Sequence, residues 1–170
     1  MSPTLIIFGG LPATGKTTIA LELAHQMGAV YLRIDSIEQA IRDSTTIDGA
    51  IDDAGYRVGY AVAEDNLRLG QTVIADSVNP LQLTRDAWIG VADRTGAVAI
   101  EVEIICSDPE QHRQRAETRL SRVAGLRLPT SHDIVAREYE PWRRKHIVID
   151  TAGRSPEESI QQLREILGTT

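Results

Sequence analysis

A chain of 170 residues with 42% hydrophobic and 25% charged residues is long enough for one domain with a real core and too short for two. No apolar run reaches the roughly 18 residues a membrane helix needs, and the apolar start lacks a basic leader, so a cytoplasmic protein without membrane contact is expected. The net charge of −6 argues against a non-specific grip on nucleic acid; the single Cys106 excludes an internal disulfide, and four scattered histidines lack zinc spacing.

The first short apolar run, "TLIIF" (4–8), reads as a strand, and Gly10 to Thr17 directly after it match G-x-x-x-x-G-K-[ST] ahead of a helical pattern ending near Met27. Strand, glycine loop and helix are the context in which this motif cradles phosphates. Glycines allow a tight fold that aims successive N–H groups at one centre, and the helix N-terminus adds its positive end. Lys16 supplies a mobile charge for the β- and γ-phosphates, the Thr17 hydroxyl suits Mg²⁺, and Thr18 supports an α-phosphate. Gly10, Ala13, Thr14, Gly15, Lys16, Thr17 and Thr18 are therefore the candidate nucleotide-binding residues, with ATP and Mg²⁺ as the implied cofactors.

A second strand, "VYLRI" (30–34), leads to Asp35 at its carboxyl end, where open parallel sheets bind ligands. Ser36 and Gln39 form an S-x-x-Q capping box for the next helix, which leaves Asp35 free for chemistry. A helix is expected from about Asp53 to Leu69, with Tyr56 and Tyr60 four apart on one face as a candidate aromatic wall of a substrate pocket; core packing explains the pair about as well. The third strand, "TVIA" (72–75), ends at Asp76, the candidate second metal ligand if that strand lies beside the first. Trp88 and Trp142 read as packing residues at element ends, and Cys106, closing the strand "VAIEVEII" (98–105), as a buried thiol.

Asp108-Pro109 marks a helix start, after which Arg115, Arg119 and Arg122 follow i, i+4, i+7 spacing and form one stripe beside the apolar Ala116, Leu120 and Val123. With the glycine- and arginine-containing stretch 122–132 they suggest a lid over about 113–132 that closes on the nucleotide and stabilises charge on the transferring phosphoryl group; a solvated arginine face is the competing reading. The last strand, "HIVI" (146–149), precedes Ser155-Pro156-Glu157-Glu158, a capping box with proline at the first helical position, and a helix running toward Gly168. Five strands alternating with helices make an α/β protein with a parallel sheet covered on both faces.

The loop alone does not specify a reaction. No guanine-recognition signature follows an apolar strand, and the chain has no room for the extra helical domain of ring ATPases. A carboxylate at Asp35 suits an alcohol acceptor, whose hydroxyl must be oriented and relieved of its proton, so Lys16, Asp35 and the three arginines are the candidate catalytic residues. Three alternatives stay open. They are a nucleic-acid 5′-hydroxyl kinase, a nucleoside monophosphate kinase, for which an acceptor-side arginine cluster is not evident, and a regulatory module that binds ATP without transferring phosphate.

The segments "GGLPATGKTT", "RIDSIEQAIR", "TVIADSVN" and "IDTAGRSPEES" resemble the small P-loop kinases related to chloramphenicol phosphotransferase, zeta toxins and polynucleotide-kinase-type phosphotransferases, across nearly the whole chain. The resemblance implies a three-layer fold with sheet order 2-3-1-4-5, ATP as donor, and an arginine-bearing lid. It also implies that Asp35 activates an acceptor hydroxyl with Arg42 beside it, that Asn79 belongs to a D-x-x-N substrate pattern with Asp76, and that Arg154 packs on the adenine. The expected acceptor is a small molecule such as an antibiotic, a sugar or a nucleotide sugar.

Overall fold

The computed structural model describes residues 2–44 and 50–168. Five strands, β1 (Thr4–Gly9), β2 (Val30–Arg33), β3 (Val73–Asp76), β4 (Val98–Ile105) and β5 (Ile147–Asp150), form one sheet in the order β2-β3-β1-β4-β5. Every pairing is parallel. The helices are α1 (Lys16–Met27), α2 (Ile34–Arg42), α3 (Ala54–Arg68), α4 (Gln82–Thr95), α5 (Pro109–Thr118), α6 (Ser131–Val135) and α7 (Pro156–Leu167).

Because successive strand side chains point to opposite faces, β1 divides its apolar residues between two cores. Ile6 and Phe8 pack with Ile19 and Leu23 of α1 and Ile160 and Leu163 of α7. Leu5 and Ile7 pack with Ala63 and Leu67 of α3 and Trp88 and Val91 of α4. Trp88 thus lies mid-helix with no exposed surface, edge-on to Tyr60, and is not an element-end residue. Cys106 is only half-buried, with its thiol toward Asp108 O and Gln111 Oε1. Among the described residues no helix is long and apolar enough to cross a membrane.

Two of the capping motifs form as the sequence implies. Asp108 accepts from the backbone N–H of Glu110 and Gln111, and Ser155 and Glu158 cap α7 reciprocally. The Ser36–Gln39 box does not form. The chain turns from β2 directly into α2 with Arg33 at the cap position, so Ser36 is already inside the first turn, and Gln39 donates to Asp43 instead. Asp35 consequently sits in that first turn, where a carboxylate also interacts favourably with the positive helix end.

The strand register explains where the site lies. Phe8 and Arg33 both stand opposite Asp76, so the loops leaving β1, β2 and β3 open at the same end of the sheet. Gly10 turns the chain there with φ of 134°, and a Cβ on it would stand 2.2 Å from Ile104 O. Substituting Gly10→Ala is expected to destabilise the fold by about 2–3 kcal/mol, because neither the backbone angle nor the carbonyl can yield cheaply. A urea unfolding midpoint checks this.

Candidate functional site

The glycine loop between β1 and α1 is built from residues with unusual backbone angles. Ala13 has φ of 68° and Gly15 φ of 94°, and Gly15 forms the N-cap of α1. Two side chains brace it from below. Thr14 Oγ1 donates to Leu11 O at 3.0 Å, and the Thr151 hydroxyl donates to Thr14 O at 2.7 Å while accepting from Arg115 Nη1 at 2.8 Å. His112 Nε2 donates to Pro12 O at 2.8 Å, tying α5 to the same loop. Gly10 and Thr14 shape the loop beneath the cavity, while Ala13, Gly15, Lys16, Thr17 and Thr18 line it.

Lys16 Nζ lies 2.7 Å from Asp76 Oδ1, and the Tyr31 hydroxyl donates to Asp76 Oδ2 at 2.7 Å. Burial pushes the Asp76 carboxyl up, but the Lys16 ammonium and hydrogen bonds from Lys16, Tyr31 and Thr17 outweigh it and hold the group below the ordinary carboxylate range. Burial, then the Asp76 charge, pushes the Tyr31 phenol well up, so it stays a donor. Thr17 and Asp76 thereby bring a hydroxyl and an ionised carboxylate together beside the phosphate loop. That set of hard oxygen donors fits Mg²⁺, which keeps several of its waters and takes phosphate oxygens as further ligands.

Replacing Asp76 by asparagine leaves a largely buried ammonium without its carboxylate and is expected to cost about 3 kcal/mol at neutral pH. The sign of the pH dependence follows from the depressed folded pKa: the contribution is complete above the unfolded value, about 3.9, and is lost as pH falls through the folded value. Unfolding midpoints of wild type and Asp76→Asn should therefore converge below about pH 4.

The loop opens on a cavity of about 820 Å³ that is also lined by Asp35, Glu38, Arg33 and Arg42. Asp35 Oδ2 lies 3.5 Å from Arg33 Nη2, and Arg42 Nη2 lies 3.2 Å from Glu38 Oε2. Burial raises the Glu38 carboxyl above its usual value, partly offset by Arg42. Tyr56 lines the wall, with its hydroxyl accepting from Asn79 N at 3.2 Å and its phenol pushed by burial up to about 12.

Tyr60 does not face the cavity. It packs edge-on against Trp88 at 4.6 Å and donates to Thr84 O, so the two-tyrosine wall reduces to Tyr56. Asn79 is fully buried outside the lining, with φ of 48°, and donates through Nδ2 to Phe8 O at 2.8 Å. It fastens the segment after β3 to β1 rather than reaching a substrate.

The three arginines of the stripe line the cavity by a different route from the one the spacing implies. α5 ends at Thr118, Arg119 is extended with φ of −66° and ψ of 147°, and Leu120 is 91% exposed. The stripe is broken there, and Leu120 is not buried in the core as a continuing apolar stripe would require. Arg115 binds Thr151 through Nη1 and Nη2, Arg119 Nη2 donates to Pro129 O at 3.0 Å, and the chain from 119 to 130 follows the cavity rim without helix or strand. Arg154 also lines the cavity and donates to Gln162.

Sequence reasoning missed Arg33 and Arg137, which line the same cavity as Asp35 and Arg42. Nothing in the spacing gathers them: Arg33 ends a strand, and Arg137 follows a short helix distant in the chain. Tyr31 and Thr151 were missed likewise, since their roles depend on which strands are neighbours.

A parallel sheet in this order, with a glycine loop over an Asp–Lys–Thr centre, defines a kinase-like P-loop NTPase fold. The comparisons agree, and residues 5–131 match the AAA domain of the AAA_33 family. The chain belongs to that family. It is 27% identical over 172 aligned residues to a shikimate kinase of Frankia casuarinae, covering 96% of this chain and 72% of the relative. A protein described as a probable adenylyl-sulfate kinase of Aeropyrum pernix is 24% identical over 93% of this chain and 88% of its own. The structure of Chaetomium thermophilum Kti12 in complex with ADP-AlF3 superposes with a TM-score of 0.72 at 21% identity, covering 96% and 97% of the two chains. These matches carry the resemblance to the P-loop kinase level, not to the narrower grouping with chloramphenicol phosphotransferase.

Proposed function

We propose that the protein is an ATP- and Mg²⁺-dependent phosphotransferase that moves the γ-phosphoryl group to a hydroxyl of a small molecule. The observation that carries this reading is that the glycine-loop residues Lys16 and Thr17 and the carboxylate of Asp35 line one cavity. The kinase names of the two curated relatives support it.

In this reading the loop N–H groups and Lys16 hold the β- and γ-phosphates, and Thr17 and Asp76 hold Mg²⁺, which would offset the negative charge of the phosphate oxygens. Asp35 accepts the acceptor's hydroxyl proton, Tyr56 and Arg42 border the acceptor, and Arg154 lies toward the base. Arg115, Arg119 and Arg122 belong to a lid over about 113–132 whose guanidiniums stabilise charge on the transferring group. The chain then works as one unit over 1–170.

Release of ADP from ATP·Mg²⁺ across a panel of phenicols, aminoglycosides, sugars, nucleotide sugars, nucleosides, nucleoside monophosphates and 5′-hydroxyl oligonucleotides tests the reading. Stimulation by a hydroxyl compound supports it and names its class. Stimulation by the oligonucleotides alone would make the protein a nucleic-acid kinase. Tight ATP binding with silence across the panel would make it a nucleotide-binding module without transferase activity.

A further inference from the structure

The cavity is strongly positive in a chain of net charge −6: Lys16 and eight arginines line it against two carboxylates, Asp35 and Glu38. Part of this charge has evident work at the phosphate end, where Lys16 meets Asp76 and Arg115 is held by Thr151. Arg33 and Arg137 line the same cavity, and the nucleotide reading uses neither. The Arg33 side chain is 14% exposed, its Nη2 reaches Asp35 at a long 3.5 Å, and its Nε is buried with no hydrogen-bond partner among the described residues. Glu38, the remaining carboxylate, is already paired with Arg42. Arg137, two residues past the end of α6, lines the same cavity as Arg33 and acts electrostatically on both Glu38 and Arg119.

We infer that Arg33 and Arg137 form an anion subsite beside Asp35, so that the acceptor is an alcohol carrying a carboxylate or phosphate. The inference rests on the phosphotransferase reading and narrows its substrate class. A guanidinium presents paired donors that match the two oxygens of either anion. A neutral acceptor would leave the buried Arg33 Nε donor unpaired and the excess positive charge of the cavity unmatched. An anion satisfies both while its hydroxyl meets Asp35, which cannot itself hold the anion because like charges repel. The subsite also discriminates: an uncharged analogue of the same shape loses the paired contacts without gaining others.

The test is calorimetric titration of inorganic phosphate, and separately of acetate, into protein saturated with AMPPNP and Mg²⁺, so that the phosphate loop is occupied. Wild type is compared with Arg33→Gln and Arg137→Gln. The expected result is one bound anion per chain, the tighter probe naming carboxylate or phosphate, with the affinity falling roughly tenfold or more in each variant. AMPPNP affinity should stay within about twofold. Arg137 is exposed, so Arg137→Gln remains informative if Arg33→Gln folds poorly. Absence of anion binding to the AMPPNP-loaded protein, or undiminished binding in Arg137→Gln, overturns the subsite and leaves the phosphotransferase reading standing. Failure of AMPPNP itself to bind would remove that reading and the subsite with it.

Discussion

Replacing Asp35 by asparagine is expected to lower acceptor-dependent turnover by about 10²- to 10⁴-fold while leaving ATP affinity within about twofold of wild type. The amide keeps the size and one acceptor oxygen of the carboxylate but takes up no proton, so a hydroxyl nucleophile can be held and not activated. Asp35 lies half-exposed in the cavity with its side-chain contact on Arg33 rather than on the glycine loop, and this is why nucleotide affinity should survive. The structural cost is small, because Asp35 contributes a helix-end interaction of about 0.3–1 kcal/mol and a long contact to Arg33. A thermal midpoint near wild type together with lost turnover separates chemistry from folding. Unchanged turnover would remove Asp35 from the reaction.

The second large effect concerns Arg85, which has no exposed surface and is surrounded by backbone carbonyls. Its Nε donates to Asn79 O at 2.9 Å, Nη1 to Pro141 O at 3.2 Å, and Nη2 to Pro80 O at 3.2 Å and Glu140 O at 2.7 Å. The guanidinium also stacks over Trp142 at 4.3 Å. One side chain therefore joins the segment after β3, which forms part of the cavity wall, to the segment before β5. Arg85→Ala is expected to cost on the order of 4 kcal/mol, since it strands several carbonyls and opens a cavity together. Arg85→Lys should recover only part of this, because one ammonium cannot span the same acceptors. Urea unfolding of the two variants measures both losses.

What the sequence makes legible and what it conceals divide along a physical line. The five strands, the α5 and α7 caps and the glycine loop rest on local patterns, and each stands within about a residue of its expected place. The order of the sheet came from family resemblance and agrees with the structure. Local pattern failed where two local rules competed. Ser36-x-x-Gln39 is a sound capping box, but β2 runs into α2 one turn too early for it. The arginine stripe had correct helical spacing, but α5 ends at Thr118 and Arg119 is extended, so the spacing ran past the end of the helix. Tertiary partners were out of reach altogether. No spacing rule pairs Tyr31 with Asp76, places Arg85 under Trp142, or brings Arg33 and Arg137 to one cavity.

Transfer of phosphate to an alcohol is tested by the fate of the γ-phosphoryl label from ATP·Mg²⁺ in the presence of hydroxyl-bearing acceptors, with anionic and neutral members in matched pairs. Label is expected in an organic phosphate ester, formed from the anionic member of a pair and absent with Asp35→Asn. Label found only in inorganic phosphate, or retained entirely in ATP, would rule out phosphate transfer to an alcohol.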